Sequence, residues 1–81
     1  MRESIRRFND IDAIATGANI SCLIAEKGLT DRIVAERMDI TVQAIYKWRY
    51  GKCVPGFENA MKLAEILEIP VEDVYVMKSR E

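Results

Sequence analysis

The stretch DRIVAERMDITVQAIYKWRYG, residues 31–51, constrains the fold more than any other part of the chain. Numbered from Asp31, its apolar residues Val34, Met38, Ile40, Ile45 and Trp48 fall at the fourth, eighth, tenth, fifteenth and eighteenth places. A small residue, Ala35, stands fifth, and a turn-tolerant one, Asp39, stands ninth. Each half has helical period. Thr30 and Thr41 sit where a helix start needs a side-chain acceptor for its unpaired amides. Gly51 sits where the second helix must stop in a left-handed conformation. The pattern predicts helices over 31–38 and about 42–50.

Each unusual residue in that segment has a mechanical reason. Two short helices that cross steeply need a small side chain where they approach, which is Ala35. A tight turn needs one left-handed position, and Asp39 tolerates it better than most residues. Ala44, Ile45 and Trp48 lock the second helix against the first, so its opposite face stands proud. This is the helix-turn-helix arrangement, whose second helix enters the DNA major groove N-terminus first.

The rest of the chain reads as more short helices. Ile20, Leu23 and Ile24 share one face and Gly28 supplies a stop, predicting a helix over about 18–27. KCVPG is a loop that leads into a helix over about 57–68 burying Phe57, Met61, Ala64 and Leu67. After the breaker EIP, residues 71–76 read as a short fifth helix, with a strand as the alternative because of adjacent β-branched residues. The fold class is therefore all-α: a compact five-helix domain over 17–77, with an arm at 1–16 and a tail at 78–81.

Composition excludes several classes. The 81 residues suffice for one core, and 49% apolar with 31% charged residues is ordinary for a soluble globular chain. No apolar run reaches the roughly 18 residues needed to span a bilayer, and no leader opens the chain, so a cytoplasmic protein is expected. With two cysteines and no histidine, neither a disulfide framework nor a zinc site is expected. Cys22 reads as a small core or edge residue and Cys53 as an exposed thiol. Without histidine, a glycine-rich phosphate loop or metal-ligand spacing, an enzyme is the poorest candidate, and no cofactor or small-molecule ligand is expected.

The net charge of −1 is unevenly spread. Residues 28–56 carry five cations (Arg32, Arg37, Lys47, Arg49, Lys52) against three carboxylates, whereas residues 57–81 carry three against six. A polyanion would meet the middle of the chain.

The segment spanning about residues 17–76, with GANISCLIAEKGLTDRIVAERMDITVQAIYKWRYGKCVPGFENAMKLAEILEIPVEDV as its body, resembles the phage-repressor and Cro-like helix-turn-helix regulators. The motif, the loop GK…P and the downstream LAEILEIPVEDV occur in the family's order. The resemblance implies a DNA-binding transcriptional regulator, a repressor by type, acting as a homodimer on double-stranded operator DNA. It implies that Val42, Gln43, Tyr46 and Lys47 read bases. Thr30, Arg32, Thr41, Arg49, Tyr50 and Lys52 would contact phosphates. A dimer surface would use Val71, Val74, Tyr75 and Val76, or the arm.

Two departures from the family pattern stand out. Asp31 occupies a position where the family often has a phosphate-contacting Gln, and its carboxylate would repel the backbone unless it caps its own helix. Ile24 and Arg49 occupy the places where the family commonly pairs an Arg with a Glu, which leaves Arg49 free for phosphate. Arg2, Arg6 and Arg7 read either as a minor-groove arm or as a self-packed tail. Glu65, Glu68, Glu72 and Asp73 read as a solvated face. The alternative function is a protein-interaction module that keeps the fold without strong DNA binding, favoured by the pI of 5.5, Asp31 and the exposed tyrosines.

Overall fold

Three residues with short, oxygen-bearing side chains start three helices. Asp12 Oδ1 accepts from Ala15 N at 3.0 Å, Thr30 Oγ1 from Ile33 N at 3.2 Å, and Thr41 Oγ1 from Ala44 N at 3.4 Å. Each cap satisfies an amide that the helix cannot, and is worth about 1 kcal/mol. The helices so capped are α1 (Ala13–Glu26), α2 (Asp31–Met38) and α3 (Val42–Arg49); α4 (Phe57–Leu67) opens at Gly56 without a side-chain cap. Together with a 3-10 turn at Val71–Asp73 these are the elements of the computed structural model, which describes residues 10–78.

Helix ends obey the turn chemistry of the sequence. Asp39 closes α2 at φ 60°, as its left-handed tolerance predicts, and Gly51 comes after α3 at φ 74°. Glu68 closes α4 at φ 61°, a left-handed position that its residue type does not announce. The core lies between the four helices, with Ile20, Val34, Ile45, Ala60, Leu63 and Val74 fully buried. Trp48 is only 4% exposed, so the two residues that clamp α3 both point inward.

Several expectations are corrected. The first helix starts at Ala13, not at residue 18, so residues 13–16, assigned to an arm, form its first turn. The Asp12 cap sets that start, and a mixed-sign sequence without a clear stripe hides it. Residues 10–12 pair with the other end of the chain: Ile11 and Met77 form an antiparallel bridge, Asp12 N donates to Val76 O at 2.8 Å, and Lys78 N donates to Asp10 O at 2.7 Å. Among the described residues there are four α-helices rather than five, because 71–76 is a 3-10 turn that runs into this extended pairing. Phe57 and Met61, expected in the core, are 58% and 51% exposed. Of the two readings of Cys22, core or edge, the core one is excluded because the residue is exposed; Cys53 is exposed as expected. The arginines at positions 2, 6 and 7 and the tail beyond residue 78 lie outside the described residues.

The C-terminal segment is stapled to α1 by polar side chains. Val76 N donates to the buried Thr16 Oγ1 at 2.9 Å, and Asn19 Nδ2 donates to the carbonyls of Asp73 and Val74 at 2.8 and 3.1 Å. Asn19 thus satisfies carbonyls that a 3-10 turn leaves unpaired. Tyr75 ties the same segment to the loop after α3 by donating its hydroxyl to Pro55 O at 2.6 Å. At the other end of the molecule Lys27 pairs with Glu68 at 2.5 Å on the surface. Among the described residues, no helix is long and apolar enough to cross a membrane.

Gly17, inside α1, is where two backbones meet. A Cβ there would stand 2.6 Å from the carbonyl oxygen of Arg49, and closer still to that of Trp48. Glycine in a helix interior is intrinsically worse than alanine by about 0.5–1 kcal/mol, yet here alanine cannot fit unless α1 and α3 part. Gly17→Ala is expected to destabilise the domain by about 2 kcal/mol or more, by the usual scale of overpacking. Urea denaturation midpoints measure it, and an unchanged or raised midpoint contradicts the close approach.

The Tyr75 phenol is held above its ordinary value by burial. A raised folded value means that its contribution is present below about pH 10 and is lost as pH rises through the folded value. Tyr75→Phe is expected to lose about 1 kcal/mol near neutral pH, the scale of one hydrogen bond, and to flatten the alkaline decline of stability. Thermal melts at a series of alkaline pH values read both effects.

Candidate nucleic-acid interface

α3 has two unlike faces. Ile45 and Trp48 are buried, while Gln43, Tyr46 and Lys47 are at least partly open to solvent. With Tyr50 just past the helix end, these open residues fall at spacings of three and four and therefore lie along one side. The Tyr46 and Tyr50 rings lie 6.5 Å apart at 58°, a tilted pairing that orders both. Val42 differs from its neighbours in that it packs against the core.

Three of the candidate phosphate contacts, Thr30, Arg32 and Thr41, stand at helix starts, and Arg49, Tyr50 and Lys52 stand at the end of α3. Thr30 and Thr41 are exposed, and each hydroxyl oxygen already accepts the capping amide. A hydroxyl that accepts still has its own proton, so each can donate to an anion. Arg32 stands in the first turn of α2. Lys52 N donates to Lys47 O at 2.9 Å, closing the end of α3 while its side chain remains in solvent.

Arg49 overturns the expectation that it is free. Its Nε donates to Ser21 Oγ at 2.8 Å, and Nη1 donates to Asp31 Oδ2 in an ion pair. One guanidinium so joins α1, α2 and the last residue of α3. The pair is partly desolvated, with the Asp31 side chain 15% exposed and that of Arg49 35%. The expectation that Asp31 caps its own helix is corrected: Thr30 supplies that cap, and the Asp31 charge is matched by Arg49. The carboxylate also stands at the first position of α2, where the helix dipole favours it. The signal missed was that two departures from the family pattern are complementary in charge. Ser21 carried no signal in the sequence.

Among the described residues there is no cluster of three or more metal-ligating side chains. The family model for the Cro/C1-type helix-turn-helix DNA-binding domain matches residues 19–79. The chain belongs to this family. Solved structures share the fold. The restriction-modification controller protein C.AhdI from Aeromonas hydrophila superimposes with a TM-score of 0.73 at 22% identity, covering 78% of this chain and 96% of that one. The clp gene regulator ClgR from C. glutamicum gives 0.69 at 26% identity, covering 76% and 80%. A hypothetical transcription factor from Neisseria, NHTF, gives 0.72 at 13% identity and covers 95% and 87%. No curated protein sequence matches the chain significantly.

Within this Cro/C1-type domain the Asp31–Arg49 pair fixes the end of the exposed helix. Removing one partner strands a poorly hydrated charge, whereas removing both does not. Arg49→Met is expected to lower stability by about 1–3 kcal/mol. Adding Asp31→Leu is expected to restore much of that loss. A double-mutant cycle from chemical denaturation checks it; strictly additive losses would mean the two side chains do not interact.

Proposed function

We propose that this Cro/C1-type domain is a sequence-specific transcriptional regulator, a repressor that occupies its operator as a homodimer. The observation that carries the reading is the solvent-facing row Gln43, Tyr46 and Lys47 on a helix whose other side is locked into the core. The Gln43 amide offers one donor and one acceptor, the pair that adenine presents in the major groove. Lys47 reads guanine or neutralises a phosphate, and Tyr46 lies along the groove with Tyr50 beside it. Val42, packed against the core, offers at most its outer methyl to a thymine.

Thr30, Thr41, Arg32 and Lys52 set the register by phosphate contacts, which position the helix but carry no sequence information. Arg49 is left out of that set because its charge is already matched. The description of ClgR as a clp gene regulator favours a role in gene control. A homodimer follows from arithmetic: one copy offers one reading helix and few phosphate contacts. Two copies one helical turn apart double the contacts and demand a symmetric operator.

The competing reading is an interaction module that keeps the fold without DNA binding. It loses one of its three grounds once Asp31 is neutralised, and keeps the acidic total and the exposed tyrosines. Fluorescence anisotropy separates the two. A regulator binds random duplex weakly at low salt, and its affinity falls as salt rises because counterions are released. No binding at low salt would leave the interaction module.

Operator variants obtained by selection from a random pool test the residue roles. Gln43→Ala is expected to remove about 1–3 kcal/mol of discrimination at one base pair while leaving random-duplex affinity nearly unchanged. Lys52→Ala is expected to weaken all sequences alike and to reduce the salt slope by about one contact. Equal effects of both substitutions on specific and random DNA would contradict these assignments.

A further inference from the structure

We propose that Tyr75 is a positioning residue for contact with the DNA backbone. It acts through the loop between α3 and α4 rather than on the duplex, holding that loop in the shape in which Lys52 meets a phosphate. The inference rests on the regulator reading above and deepens it.

The loop, residues 50–56, follows the reading helix directly. Lys52 and Cys53 are exposed, Val54 is half-buried and Pro55 is buried. Its near end is fixed by α3 and α1. Gly51 N and Lys52 N donate to the carbonyls of Trp48 and Lys47 at 3.1 and 2.9 Å, and a Cβ at Gly51 would stand 2.8 Å from the side chain of Ile14 in the first turn of α1. The far end has no such backbone support. Pro55 has no N–H to donate, and among the described residues no backbone amide donates to its carbonyl. The group that takes this carbonyl is the Tyr75 hydroxyl, at 2.6 Å.

Tyr75 can pin the loop because the chain is tied down on both sides of it. The carbonyls of Asp73 and Val74 accept from Asn19 Nδ2 at 2.8 and 3.1 Å, and Val76 N donates to Thr16 Oγ1 at 2.9 Å. Asn19 and Thr16 both belong to α1, the helix against which Gly51 rests. The two ends of the loop are thus referred to one rigid element. At most about 10 Å of chain separates Lys52 from Pro55, so a shift at Pro55 is felt at Lys52. The amides of Cys53 and Val54 have no hydrogen-bond partner among the described residues, and they remain as donors beside the Lys52 ammonium. A loose loop would have to be ordered at the moment of binding, at a cost in conformational entropy. With Tyr75 in place the ordering is done on folding. Burial holds the phenol above its ordinary value, so the hydroxyl stays protonated, and a donor, at neutral pH. Tyr75, which the sequence suggests for a dimer surface, directs its hydroxyl to the chain's own loop.

Fluorescence anisotropy of the full chain over a salt series, on random duplex and on an operator selected from a random pool, tests this. Tyr75→Phe is expected to weaken binding to both duplexes alike, about fivefold, the scale of one hydrogen bond. It is also expected to lower the salt slope and to leave the discrimination carried by Gln43 unchanged. In a Lys52→Ala background the same substitution is expected to cost clearly less than in the wild type, because the two residues serve one contact. Ile66→Val, which trims a side chain packed against the core on α4, is the control for stability alone; it is expected to bind as the wild type does. A wild type that binds random duplex, with Tyr75→Phe at wild-type affinity and slope, overturns this proposal and leaves the regulator reading standing. Equal losses from Tyr75→Phe and Ile66→Val overturn it as well, since stability would then account for both. A wild type that binds no duplex at low salt removes the regulator reading and this proposal together.

Discussion

The pose of the exposed helix depends on one close approach, that of Gly17 in α1 to the carbonyl oxygens of Trp48 and Arg49. Because no side chain intervenes there, α1 lies directly against the C-terminal end of α3. Ile45 and Trp48 can then reach into the shared core, fully and almost fully buried. Rotation of α3 about its axis would expose an indole and an isoleucine to water, at a cost of about 1.5–3 kcal/mol for a residue of that size. The polar row Gln43, Tyr46 and Lys47 is thus aimed outward by what lies on the opposite side of the same helix. Side chains that read bases need such rigidity, because a hydrogen bond to a base edge weakens steeply once its angle is lost.

The ion pair between Asp31 and Arg49 serves the same end by other means. Family members commonly link the first helix to the third with an Arg–Glu pair. In this chain Ile24 and Arg49 occupy those places, and the charge linkage runs instead from α3 to the start of α2, with Ser21 holding the guanidinium from α1. Desolvation makes such a pair a poor source of net stability compared with apolar packing. Its contribution is geometric: the fork of the guanidinium can satisfy Ser21 and Asp31 together only when the three helices hold one arrangement. On the proposed regulator reading, phosphates near this corner would meet a matched pair rather than a lone negative charge.

How much was legible in the sequence depends on whether the cause was local. Thr30, Thr41, Asp39 and Gly51 announce the motif because capping and left-handed turns are properties of single residues, and Ile45 and Trp48 announce its inner face because burial follows period. The early start of α1 at Asp12 was hidden, because its first turn is held by the far end of the chain through Thr16, Val76 and the Ile11–Met77 bridge. The same pairing turned an expected fifth helix into a 3-10 turn and an extended segment. Phe57 and Met61 depart from expectation for a different reason. Helical period marks an apolar stripe but not whether the stripe faces its own core or another surface. Arg49 looks free only while each departure from the family pattern stands alone; charge complementarity couples it to Asp31.

An acidic total is compatible with DNA binding once charges are sorted by where they stand. Of the five cations in residues 28–56, Arg49 is matched by Asp31, which leaves four against Glu36 and Asp39. Arg32, Lys47 and Lys52 are the cations assigned to the DNA side, whereas the surplus of carboxylates belongs to α4 and the segment after it. Each phosphate neutralised contributes a slope of about −0.9 to the salt dependence of binding. Three such contacts give a shallow dependence and weak binding per copy. If the domain is the regulator proposed above, it gains little from electrostatics alone and would draw its affinity for an operator from base contacts and from a second copy. On the proposed regulator reading the physical consequence is selectivity: with a weak non-specific term, the difference between the right sequence and all others would be carried by the few side chains that Trp48 and Ile45 hold outward.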